Sequence, residues 1–82
     1  MELYVGNLIY TMTDSELKSL FSLHGSVVTA RIINDHFTRQ SKCFGYVKML
    51  HRKDGHQAMK TLHGKNINNR PLIVKEARSR HD

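Results

Sequence analysis

At 82 residues the chain is sized for one domain that buries about 60% of the surface its unfolded form exposes. Hydrophobic residues at 39% and charged residues at 24% argue against a disordered chain. The apolar runs are only a few residues long, against the roughly 20 a bilayer crossing needs. Thirteen Lys and Arg against seven Asp and Glu give a net charge of +6, which favours a polyanionic partner, nucleic acid first; a basic, solvated surface is the competing reading of charge alone. Cys43 is the only cysteine, so neither an intrachain disulfide nor a thiol-based metal site can form, and a reducing cytosol suits the chain better than secretion. Met1 leads directly into Leu3-Tyr4-Val5 with no cationic leader and no cleavage site, so a soluble, cytoplasmic chain is expected.

Leu3 to Leu8 opens with alternating apolar side chains and ends in Gly6-Asn7, a strand running into a turn. Thr13-x-x-Glu16 is a capping box that starts a helix with Leu17, Leu20, Phe21 and Leu23 as its buried stripe. Gly25 stands where a left-handed residue would end that helix, and Val27 to Ile33 reads as a second strand. Asn34 to Ser41 has no apolar periodicity and is expected as a long, basic, mobile loop. Phe44 to Met49 alternates again, with Phe44, Tyr46 and Lys48 on one face and Gly45, Val47 and Met49 on the other. Asp54 is expected to cap a second helix whose inner face is Ala58, Met59 and Leu62, with Gly64 as its stop. Asn68-Asn69 suits a tight turn before Pro71 and a last strand, Leu72 to Glu76.

The order β, α, β, β, α, β predicts an α+β fold: a four-stranded antiparallel sheet with two helices on one face, in a ferredoxin-like βαββαβ sandwich. Right-handed crossovers would put the first and third strands in the centre and leave the other sheet face open. Enzymes, metal carriers and binding modules share this topology, so function must be read from the open face.

Leu3-Tyr4-Val5-Gly6-Asn7-Leu8 resembles the ribonucleoprotein hexapeptide of the RNA-recognition-motif family, and Lys42 to Met49 resembles its octapeptide, K/R-G-F/Y-G/A-F-V-x-F/Y. The resemblance covers nearly the whole chain, residues 1–77, with a short basic tail at 78–82. It is nearest to single-domain bacterial members and to the recognition domain of glycine-rich RNA-binding proteins. It implies single-stranded RNA as partner, single-stranded DNA as a further one, a monomer without cofactor or metal, no enzymatic activity, and a role in post-transcriptional regulation or RNA chaperoning.

The strand phase supports that implication independently. Tyr4, Phe44 and Tyr46 would point away from the helices, because turning them inward would expel Leu3, Val5, Val47 and Met49 from the core. Unstacked bases can lie on such rings in a sequence-tolerant way. Arg31, Lys42, Lys48 and Lys75 fall on the same face or its rim by alternation or motif position, where phosphates could follow them. Lys42 holds the family's phosphate-contacting position, and Arg78 and Arg80 stand where family members bring the C-terminal segment over the bound strand, with a solvated tail as the competing reading for both. For Lys18, Lys53 and Lys60 on the helices, a solvated charge is the better reading.

Three positions depart from the family pattern: Cys43 replaces Gly, Met49 replaces an inward aromatic, and His24 replaces a Phe, loosening the core there. The six histidines lack metal-binding spacing and are expected as solvated surface groups. An acylphosphatase-like enzyme would need a glycine-rich phosphate loop that the turn after Asn7 does not supply, and no nucleophile and base stand together. A protein-interaction module on the same fold is the other alternative; such variants often lack the three rings.

Overall fold

The computed structural model describes residues 1–77. In chain order the elements are β1 (Glu2–Gly6), α1 (Asp14–Ser22), β2 (Val27–Asn34), β3 (Ser41–Met49), α2 (Arg52–Leu62), β4 (Asn66–Ile67), β5 (Arg70–Pro71) and β6 (Ile73–Glu76). Four of the strands form one antiparallel sheet in the order β2-β3-β1-β6. The two strands that carry the motifs are therefore central, and the expected α+β sandwich is the fold the chain adopts. β4 and β5 add a small separate hairpin, closed by the left-handed pair Asn68 and Asn69 (φ 55° and 65°), where the tight turn was expected.

Alternation decides what the sheet covers. Leu3, Val5, Val47, Met49 and Val74 are buried together with Leu17 and Phe21 of α1 and Ala58 and Leu62 of α2. Each large side chain fully removed from water there contributes about 1.5–3 kcal/mol before entropy is counted. Met49 fills its inward position at 1% exposure, so the loss of the family's aromatic is met by packing.

The start of α1 follows from its sequence. Thr13 Oγ1 accepts the Glu16 N–H at 3.1 Å, and Glu16 Oε1 accepts the Thr13 N–H at 2.9 Å. The end of α1 departs from expectation. Leu23, placed in the buried stripe by spacing, is the C-cap and 81% exposed, because the helix stops at Ser22 and the next side chain leaves the core face. Gly25 lies two residues past that cap, turning the chain into β2 with φ 149°. His24 is half-buried and stands outside the core cluster.

α2 begins two residues before its expected cap. His51 occupies the N-cap without a side-chain hydrogen bond, and Asp54 sits inside the first turn. There its charge favours the positive end of the helix dipole, and its carboxylate packs where a side chain on Gly25 would collide with it. Gly64 ends the helix as expected, with φ 84°. His63 is exposed, as expected, and in addition accepts the Val74 N–H on Nδ1 at 3.0 Å, tying the end of α2 to β6.

Candidate nucleic-acid interface

Strand register builds the site. Tyr4 lies opposite Tyr46, Arg31 opposite Tyr46 and Lys75 opposite Tyr4. One row therefore crosses all four strands as Arg31, Tyr46, Tyr4, Lys75: two rings flanked by two cations. Phe44 shares the face of Tyr46 and completes a cluster, 5.6 Å from the Tyr4 ring and 6.0 Å from that of Tyr46 between centroids. Tyr4 and Tyr46 are also 6.0 Å apart, edge to face. All three rings are half-buried, and none belongs to the hydrophobic core. The rings prop one another, which fixes their orientation at the water boundary.

Two glycines shape this surface. Gly6 shares the phase of Tyr4 yet is buried, because the Tyr4 ring lies over it; a Cβ at Gly6 would stand 2.7 Å from Tyr4 Oη. Gly45 points the other way, and a Cβ there would run into the Arg31 backbone carbonyl, so β2 and β3 approach closely beneath the cluster.

The β2–β3 connection is more organised than its composition suggests. Asp35 Oδ1 accepts the N–H groups of Phe37 at 2.9 Å and Thr38 at 3.0 Å. The Asp35 carbonyl accepts the Arg39 N–H at 2.9 Å, and the Asp35 N–H donates to the Gln40 carbonyl at 2.7 Å. The backbone amide of Thr38, then that of Phe37, holds the Asp35 carboxyl below its ordinary pKa. Strand β3 starts at Ser41, earlier than the alternation alone implied, and is irregular at Cys43. Cys43 takes the left-handed conformation (φ 64°) for which the family pattern uses glycine. Its N–H donates to Ser41 Oγ and its carbonyl accepts the Leu8 N–H, both at 2.9 Å, so the residue serves the junction between loop and strand.

Arg31, Lys42, Lys48 and Lys75 are all exposed. Among the described residues the one ion pair is Arg52 with Glu76, at 3.6 Å, so none of these four is held by a carboxylate. Lys42 lies at the start of β3, and Lys48 lies one row beyond the tyrosines, between Thr29 and Glu2. Arg78 and Arg80 lie outside the described residues. Lys18, Lys53 and Lys60 are exposed on the helices.

The sequence reading missed Arg70, whose Nε and Nη2 donate to Asn7 Oδ1 at 3.2 and 3.0 Å, while Asn7 Nδ2 donates to the Pro71 carbonyl at 2.8 Å. The signal available was the Asn directly after Gly6, a residue type that tolerates the left-handed φ of 58° found there. Phe37, 91% exposed on the Asp35 turn, was also missed; a lone aromatic in a polar run was its only mark. Among the described residues no group of His, Cys, Asp and Glu could hold a metal ion, and no helix is long and apolar enough to cross a membrane.

Residues 3–73 match the RNA recognition motif family. The chain belongs to that family. It is 38% identical over 77 residues to glycine-rich RNA-binding protein 10 of Brassica napus, covering 94% of this chain and 46% of the relative. The crystal structure of RNA-binding protein PG1 superposes with a TM-score of 0.94 at 39% identity, covering 100% of this chain and 99% of that one. A Sex-lethal protein–RNA complex superposes with a TM-score of 0.90 at 34% identity, covering 99% of this chain and 48% of that one. The chain spans less than half the length of the curated relatives it matches. RNA-recognition-motif proteins of this kind are non-enzymatic.

Proposed function

We propose that the chain binds single-stranded RNA on the open face of its sheet, with nucleobases stacked on Tyr4, Phe44 and Tyr46 and phosphates drawn to Arg31, Lys42, Lys48 and Lys75. The observation that carries this reading is the row Arg31, Tyr46, Tyr4, Lys75, which sets an aromatic pair between two cations that have no carboxylate partner among the described residues. Every base has a π-face, so such a surface favours single strands with little dependence on sequence, at about 1–3 kcal/mol per stacked base. Family membership and the RNA-bound relative support RNA as the ligand. Single-stranded DNA carries the same rings and phosphates and should compete. A monomer acting in post-transcriptional handling of RNA, in a reducing compartment suited to the free thiol of Cys43, is the setting we infer.

Chemical-shift mapping with a short single-stranded RNA tests this reading. The largest changes should fall on Tyr4, Phe44, Tyr46 and their strand neighbours. With about three phosphates neutralised, log affinity should fall against log salt with a slope of about −2. Changes confined to α1, at residues such as Lys18 and Ser22 with a protein partner, and none on the sheet with RNA, would replace the reading with a protein-interaction module.

A further inference from the structure

At the end of the sheet opposite the β2–β3 turn lies a cavity of about 240 Å³ lined by Met1, Glu2, Lys48, Arg52, Glu76 and Ala77; Arg52 belongs to α2, so the cavity sits at the edge of the sheet, between its open and its covered face. Glu2 and Lys48 are cross-strand partners in the phase of the tyrosines, one row beyond them. Their charges are opposite, yet they form no ion pair with each other; Glu76 is the carboxylate that pairs, with Arg52. Among the described residues, the rim where the cavity meets the open face therefore carries a carboxylate and an ammonium without an ion-pair partner, one strand step from a base stacked on the aromatic row.

The lining narrows the occupant. The lining side chains cancel, Glu2 and Glu76 against Lys48 and Arg52, so a phosphate gains no net attraction from them, and the charged walls disfavour an apolar ring. A neutral planar group with donors and an acceptor on one edge fits best, which is the character of a nucleobase. The four bases differ there. Guanine presents two adjacent donors, N1–H and N2–H, followed by the O6 acceptor. A carboxylate accepts such a donor pair with both oxygens, and an ammonium donates to the carbonyl beside it. Adenine and cytosine offer one amino donor next to a ring nitrogen whose lone pair would face the carboxylate. Uracil sets its single donor between two carbonyls.

We propose that Glu2 and Lys48 form a guanine-reading subsite at the end of the aromatic row, giving an otherwise sequence-tolerant surface a preference for G at one position; Lys48 then serves the base, and the phosphates are left to Arg31, Lys42 and Lys75. This rests on the RNA-binding reading above. The side chains concerned are exposed, so the subsite is open to a splayed base without rearrangement of the core.

The test is fluorescence anisotropy on the full chain with a U-only RNA octamer, a set carrying one G at each position in turn, and the same set with inosine, which lacks the N2 amine. The wild type should favour the best G-containing strand by about tenfold, with inosine recovering only part of that gain. Glu2→Ala, and independently Lys48→Ala, should bring the ratio to within about twofold. Phe44→Ala should weaken every strand while leaving the ratio in place. Equal affinity of the wild type for all strands, or a guanine preference that survives both Glu2→Ala and Lys48→Ala, overturns the subsite. Loss of binding in Phe44→Ala alongside either result would leave the stacking surface intact as a reading, whereas unchanged binding in Phe44→Ala and Tyr46→Ala would remove both.

Discussion

Gly6 shows how a residue without a side chain can belong to a binding surface. The Tyr4 ring lies on it, and the atom a methyl group would strike is the far end of a side chain that can swing away. Gly6→Ala should therefore leave thermal stability almost unchanged while lowering RNA affinity by on the order of 1 kcal/mol, read by melting and by titration on the same variant. Cys43 makes the opposite case. Its left-handed backbone costs a residue with a Cβ roughly 1–2 kcal/mol, partly offset by the greater unfolded-state entropy of glycine. Cys43→Gly is expected to raise stability in denaturant unfolding by roughly 0.5–1 kcal/mol. The hexapeptide and octapeptide positions could be read from sequence because alternation fixes which side chains share a face. Arg70 could not, since its place depends on a hydrogen bond to Asn7, 63 residues away in the chain.

At the level of elements, sequence rules worked where the deciding partner is local. The capping box at Thr13 and Glu16, the left-handed turn at Asn68-Asn69 and the stop at Gly64 each depend on residues within one turn. They failed where a distant contact decides. Asp54 looked like a cap, but packing against Gly25 from the other helix end takes its side chain. His63 is exposed as its sequence suggests, but nothing local announces that it supplies the acceptor for the Val74 amide of β6. His63→Ala leaves that N–H without its partner and should cost roughly 1–2 kcal/mol, measured by chemical denaturation, with faster hydrogen exchange at Val74. The Asp35 turn carries a pH signature. Its carboxyl titrates below the ordinary value in the folded chain, so its stabilising bonds are fully present above the unfolded pKa and are lost as pH falls through the lowered native one. The amide signals of Phe37 and Thr38 should stay constant through neutral and mildly acidic pH and move together only in strong acid. Movement at mildly acidic pH would contradict the turn.

For the molecule as a whole, the fold follows from two facts about period: apolar residues recur every second position in the strands and every third or fourth in the helices. Covering one sheet face with two helices uses up the aliphatic phase and leaves the aromatic phase in water. That exposure is costly in isolation, and ring-on-ring contact recovers only part of the cost. A ligand with flat faces and negative charge recovers more, which connects the architecture to its proposed use. The fold and the ring cluster were legible in advance; the Asn7–Arg70 tie and the Glu2–Lys48 pair depend on contacts between distant strands, while the Asp35 turn, local in every bond, was hidden by a polar run without periodicity. The most direct measurement is the affinity of Phe44→Ala and Tyr46→Ala for a single-stranded RNA, with folding checked on each variant. Each should bind about 1–3 kcal/mol more weakly than the parent while remaining folded. Parental affinity in both would contradict stacking on this sheet.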